Sequence, residues 1–376
     1  SGSHKVGAVY SILIEKQLSG EATPKGSTIV CPSTGNYGIG GAWVGPRMGY
    51  RSLVVLPEDM SAERFTRIEG YGAEVIKTPG CESNVKEIYD KVKELQRIPE
   101  NVILNQFAEM GNYRFHYHVT GNAILDLAAG LGDQGIGDGH VAAFVSAMGS
   151  SGTIAAGDRI KAVQGSGCTV GLEPVQCPTL YNCGYGGHRI EGIGDKHVTW
   201  IHHVTAMDYI MCIDDDQCVA GLQLLQQGNH FASEALGVDL SGLINIFGVS
   251  GICNILGAIK TAKVNEFGPD DLIVTVATDS FDRYPSVLDD LTRREGEQTR
   301  DMAMQRLALF HNQSNDWVLE GTREVRRRWH NQKYYTWVEQ QGMSVEDLDA
   351  QLSNEWWEAE AAKADDIDDA LMAVRD

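Results

Sequence analysis

Three stretches of this chain carry side chains whose types and spacing suit chemistry on an amine. Lys5 closes Gly2-Ser3-His4-Lys5 and opens an amphipathic run. Ser33-Thr34-Gly35-Asn36-Tyr37-Gly38 follows a strand-like segment, and Gly149-Ser150-Ser151-Gly152-Thr153 precedes a later helix. A lysine forms a Schiff base only as the neutral amine, a state that burial and a neighbouring phosphate cradle tune. Backbone N–H groups at a helix start converge on one spot and carry partial positive charge, so residues 149–153 offer a phosphate cradle. Asn36 adds an amide able to donate to a ring oxygen or a carboxylate. Singly, each stretch admits a plainer reading: a solvated lysine, a left-handed turn with Asn, a tight strand-to-helix connection.

The elements that must position these groups alternate along about the first 290 residues. Val6, Val9, Tyr10, Leu13 and Ile14 form a helical stripe over residues 5–18, which stops at Gly20. Residues 27–31 read as a strand and 38–48 as the helix after it. Short β-type runs at 52–56, 73–78 and 101–104 enclose helical patterns at 62–71 and 84–95. Strands at 141–147 and 169–172 flank a helix starting near Thr153, and 272–278 reads as a late buried strand. Strands spaced by helical segments of this length imply a mostly parallel α/β sheet. Ligands of such sheets bind beyond the carboxyl ends of the strands, where the glycine-rich turns fall.

Composition narrows the partners. The 376 residues are 43% hydrophobic and 22% charged, which suits a globular protein of two domains with an appendage. A net charge of −20, from 51 acidic against 31 basic residues, argues against a nucleic-acid partner. No run reaches the apolar length of a membrane helix and no leader pattern is visible, so the expectation is a cytoplasmic protein. The eight cysteines (31, 81, 168, 177, 183, 212, 218, 253) form no CxxC pair, and reduced thiols without a metal site are expected.

With those motifs in order, the chain resembles the fold type II (tryptophan synthase β-like) pyridoxal-phosphate enzymes, closest to cysteine synthase and cystathionine β-synthase. Gly2-Ser3-His4-Lys5 resembles the family's Schiff-base motif, residues 33–38 its asparagine loop, and residues 149–153 its phosphate loop. Asn105-Gln106-Phe107, Glu173-Pro174, Glu191-Gly192-Ile193-Gly194, Gly248-Val249-Ser250-Gly251 and Asp279-Ser280 near Arg283-Tyr284 follow in family order. Two three-layer α/β/α domains with mostly parallel sheets are implied, with pyridoxal 5'-phosphate as cofactor and a homodimer as assembly.

The resemblance also assigns residues. Lys5 would bind the cofactor and serve as the catalytic base. Asn36, Gly149, Ser150, Ser151, Gly152, Thr153 and Ser280 would hold the cofactor. Ser33, Thr34, Gly35, Tyr37 and Gln106 would hold an amino-acid substrate. A serine hydroxyl at the pyridine nitrogen, unlike a carboxylate, does not keep the ring protonated, which favours loss of a β-substituent over transamination. The expected reaction is β-elimination or β-replacement on a β-substituted L-amino acid, through an external aldimine and an aminoacrylate. An ammonia-lyase or racemase of the same fold is the alternative, and a non-catalytic binding homologue a further one. A dinucleotide-binding dehydrogenase is disfavoured because no GxGxxG stands in the right context. The family carries several dozen residues ahead of its lysine where this chain carries four, and Tyr37 stands where the family has threonine.

The expected organisation is an N-terminal α/β region over residues 1–120, a cofactor-binding domain over 121–290 and a helical extension over 291–376. Five of the seven tryptophans lie in the last 60 residues, and from Gln341 on there are eleven acidic and two basic side chains. The tryptophans are expected to pack on the main body or a second subunit, and the arginines at 323 and 326–328 to pair with the acidic tail.

Overall fold

The computed structural model describes residues 1–33, 35–80 and 84–375. Helix α1 (Lys5–Leu18) leads into a parallel sheet of β1 (Thr28–Pro32), β2 (Arg51–Pro57), β3 (Glu74–Thr78) and β4 (Asn101–Ile103). Helices α2 (Asn36–Arg47), α3 (Ala62–Gly70) and α4 (Val85–Leu95) make the crossovers, and the strand order is β3-β2-β1-β4. Six of the seven residues of β2 are buried, which is why it reads as a continuous apolar run rather than an alternation. Helix α1 buries Ala8, Val9, Ile12 and Leu13 in the same core as Ile29, Cys31 and Val54.

Helices α5 (Met110–Phe115) and α6 (Gly121–Gly132) lead to the second sheet. It contains β5 (Val141–Ala147), β6 (Cys168–Pro174), β7 (Tyr209–Ile213), β8 (Leu272–Thr275) and β9 (Val318–Glu320) in the order β8-β5-β6-β7-β9. Only β9 runs antiparallel. Helix α7 (Ala155–Gln164) connects β5 to β6, and the long helix Val249–Val264 packs on the sheet through Val249, Ile252, Cys253 and Leu256.

Each sheet has one switch in strand order, and both switches serve the same site. In the first sheet the chain steps from β1 outward to β3 and then returns beside β1 as β4. In the second it steps from β5 to β7 and returns beside β5 as β8. Ligands of parallel sheets lodge at such switch points. The turn after β1 carries Asn36, and the turns after β5 and β8 carry residues 149–153 and 276–280. Gly2–His4 lies against the last of these: Ser3 pairs with Asp279 in an antiparallel bridge, and His4 N donates to the Thr278 carbonyl at 3.2 Å.

Some boundaries move. Helix α2 begins at Asn36, two residues before the sequence pattern places it, because the Ser33 hydroxyl accepts from Gly35 N (2.8 Å) and Gly38 N (2.7 Å). Strand β8 ends at Thr275, freeing Thr278 to face Gly2–His4. Strand β7 went unread, and the C-terminal region contributes β9 as well as helices. Its tryptophans pack on the body: Trp329 Nε1 donates to the Leu180 carbonyl and Trp337 Nε1 to the Val198 carbonyl, both at 2.8 Å. Among the described residues, Arg326 and Arg328 find their partners outside the acidic tail. Arg326 pairs with Asp208, and Arg328 donates to the carbonyls of Leu180 and Tyr181, because strand β9 brings this helix against the second sheet instead.

Candidate active site

Lys5 is buried at the start of α1, with its Nζ 3.1 Å from Ser150 Oγ. Burial brings its pKa down to about 8, against the pull of the Asp195 carboxylate, which raises it. A substantial neutral fraction at mildly alkaline pH follows, which is the state a nucleophilic amine needs.

His4 is locked beside it. The Thr278 carbonyl can only accept, so His4 Nδ1 carries the proton across 2.9 Å, and Nε2 accepts from Thr153 Oγ1 at 2.8 Å. Burial, with Lys5 nearby, holds its pKa down to about 4, so the ring stays neutral. The Thr153 hydroxyl hydrogen is therefore turned to His4.

The turn after β5 is tight. Ser151 adopts φ +63°, and a Cβ at Gly149 would stand 2.6 Å from the Gly192 carbonyl oxygen. A Cβ at Gly152 would collide with the Asn112 side chain. Asn112 Nδ2 in turn donates to Ser150 Oγ (3.0 Å) and the Gln106 carbonyl (2.9 Å). Gly149, Ser151 and Thr153 line a small cavity of about 20 Å³ with Lys5, Asn36, Gly192, Ser250 and Thr278.

Asn36 is buried, with Nδ2 2.7 Å from Asp279 Oδ2 and Oδ1 2.8 Å from Arg64 Nη1. Gln106 is buried and reaches the Pro32 carbonyl at 3.3 Å, beside the turn after β1. Gly35 lies in that turn, at φ 139°, as the residue before α2. The Ser33 oxygen is committed to the two backbone donors that cap α2, and Thr34 lies outside the described residues.

Two expected contacts point elsewhere. Tyr37 projects into the core of the first sheet and donates to the Leu104 carbonyl at 3.1 Å. Its place one residue into α2 turns it away from the turn that Asn36 faces. Ser280 bonds Asp282 Oδ1 (2.8 Å), receives Arg283 Nη1 (3.2 Å) and is absent from the cavity wall. Ser280 is drawn instead to the Gly2 carbonyl, Asp282 and Arg283. Thr278 faces inward, 2.6 Å from Ser250 Oγ, and Ser280 faces out.

The sequence reading missed Asp195. It is buried, neither carboxylate oxygen has a partner among the described residues, and burial raises its pKa to about 7 against the effect of Lys5. It lines a neighbouring pocket that shares Gly149 and Ser151 with the first. The signal was a carboxylate directly after Glu191-Gly192-Ile193-Gly194, a run read only for its place in the family order.

These residues fit a phosphorylated aldehyde: a crowded glycine turn at the start of a ten-residue helix, a buried amine of lowered pKa, and hydroxyls opposite. The family model for pyridoxal-phosphate-dependent enzymes matches residues 1–279. A probable cysteine synthase of Bacillus subtilis is 31% identical over 288 residues, 76% of this chain and 85% of that protein. The crystal structure of a cysteine synthase from Entamoeba histolytica superposes with a TM-score of 0.66 at 25% identity, covering 83% of this chain and 84% of that one. A hydrogen sulfide-producing enzyme from Fusobacterium nucleatum gives a TM-score of 0.65 at 25% identity, covering 85% and 87%. The chain belongs to the fold type II family of pyridoxal-phosphate-dependent enzymes.

Proposed function

We propose that this chain eliminates or replaces the β-substituent of an L-amino acid, in the manner of cysteine synthase. The observation that carries the reading is Lys5: a buried amine with a pKa of about 8, facing the turns at the switch points of both sheets. The cofactor, when bound, supplies an electron sink next to the substrate's α-carbon. Lys5 holds the cofactor and, once released from it, takes the α-proton on its Nζ. Residues 149–153 hold the phosphate by backbone N–H groups, and Asn36 donates toward the ring oxygen. Thr278, rather than Ser280, offers the hydroxyl toward the ring nitrogen. The turn after β1, including Ser33, Thr34 and Gly35, binds the substrate carboxylate with Gln106 alongside. The first sheet and its helices close over the substrate and exclude water.

The test is the visible absorption spectrum of purified protein with candidate β-substituted amino acids added singly. A Schiff-base band that disappears in K5A and shifts with one amino acid is the expected result. A protein that stays colourless with added pyridoxal phosphate overturns the reading.

A second reading, a dehydratase on serine, threonine or a hydroxyaspartate, is favoured by Asp195. Hydroxide leaves carbon only when protonated, and a carboxyl with a pKa of about 7 is a suitable donor. Product analysis separates the two: β-replacement consumes an added thiol, whereas dehydration releases a 2-oxo acid and ammonia without one. A cytoplasmic homodimer is the proposed assembly, and light scattering on the purified protein tests the dimer.

A further inference from the structure

An asparagine amide can turn either its carbonyl or its NH2 group toward a ligand, and the two ends differ little in shape. At Asn36 the neighbours decide. Arg64, on α3, has only donors, and its Nη1 lies 2.8 Å from Asn36 Oδ1. Asp279 Oδ2 lies 2.7 Å from Asn36 Nδ2 and also accepts the Tyr284 hydroxyl at 2.6 Å. Rotating the amide by half a turn would set NH2 against a guanidinium and a carbonyl against a carboxylate. Both side chains are fully buried, so neither clash would be relieved by water.

The arginine is itself fixed. Its Nη2 donates to the Tyr284 hydroxyl at 2.9 Å, and its Nε pairs with Glu191. An NH2 group has two hydrogens, and Asp279 takes one. The other belongs to the side that faces the Gly192 turn, where a Cβ on that glycine would lie 3.5 Å from Nδ2. That turn and Asn36 line the cavity together with Lys5.

We propose that Arg64 is a positioning residue that, together with Asp279, sets the polarity of the Asn36 amide so that the cofactor's ring oxygen meets an N–H and never a carbonyl. The proposal rests on the cofactor-binding role given to Asn36 above. It gives α3, read in the sequence only as a helical pattern, a part in positioning the cofactor.

The test compares R64M, R64K, E191Q, N36A and the double variant N36A/R64M for pyridoxal-phosphate affinity and the Schiff-base absorption band, with apo-protein melting as a control. R64M is expected to weaken cofactor binding about tenfold, the loss of one buried hydrogen bond, and to shift the band. R64K, which keeps a donor, recovers part of both. E191Q, which keeps an oxygen for Arg64 Nε, shifts the band and the affinity less than R64M does. The double variant binds no more weakly than N36A alone, because both changes remove the same contact. Losses that multiply in the double variant, or a band and an affinity in R64M equal to wild type, overturn the proposal. Wild-type protein without a Schiff-base band would sink the functional reading itself, before any Arg64 variant is compared.

Discussion

Lys5 and Asp195 titrate against one another, and both can be followed. Schiff-base formation by apo-protein should rise with pH through a midpoint near 8, where the Lys5 amine loses its proton. The Asp195 anion raises that pKa, so D195N should move the midpoint downward. A stopped-flow pH profile that stays put or moves up would refute the coupling. Asp195 also carries a stability sign. Its folded pKa of about 7 exceeds an unfolded value near 4, so the buried carboxyl costs little below about pH 4. The penalty accumulates as pH rises through 7. D195N should therefore raise the melting temperature more at pH 8 than at pH 5, and equal shifts at both would refute the assignment. At this scale the sequence was informative about residue type and less so about direction. Lys5, Asn36 and residues 149–153 stand in local motifs, and the structure brings them to one cavity. Tyr37 points into the core because helix phase sets its direction, and Ser280 turns to Asp282 and Arg283 rather than to the cavity.

The elements were read largely from periodicity, and they fail where a tertiary partner sets the boundary. Strands β1, β2 and β5 are continuous buried runs and were found to within a residue or two. Strand β9 has three residues and exists because β7 offers it a free edge. The turn after β5 depends on crowding that the sequence shows only as glycine. G152A places a methyl group on Asn112, the side chain that also holds Ser150 and the Gln106 carbonyl. It should destabilise the protein by about 1–3 kcal/mol and weaken phosphate binding. Urea denaturation together with cofactor titration checks both, and unchanged values would mean that Asn112 moves aside freely.

Over the whole molecule, the C-terminal region is fastened to the body by buried indoles and by two ion pairs, Arg326–Asp208 and Arg114–Glu360. Trp337 packs with Tyr89, Phe107 and Trp200, contributed by the first sheet's helix α4 and by two loops. W337A should cost about 3–5 kcal/mol of unfolding free energy, with W356A, at a half-buried neighbour of Trp357, costing much less. Equal losses would place the anchor elsewhere. Composition had flagged these tryptophans without saying which surface they meet, since that depends on the loop that supplies the Val198 carbonyl.

The pairing of Ser3 with Asp279 sets an order of events. His4, the neighbour of the reactive lysine, donates both its backbone N–H and its Nδ1–H to the carbonyl of Thr278, 274 positions further along the chain. Contacts that distant form late in folding, because the intervening chain must first be ordered. On a ribosome, the lysine has long emerged before the residues that shelter it exist. Half-made chains thus have no finished pocket for a reactive aldehyde, and the appearance of colour in a refolding experiment would time the last step rather than the first.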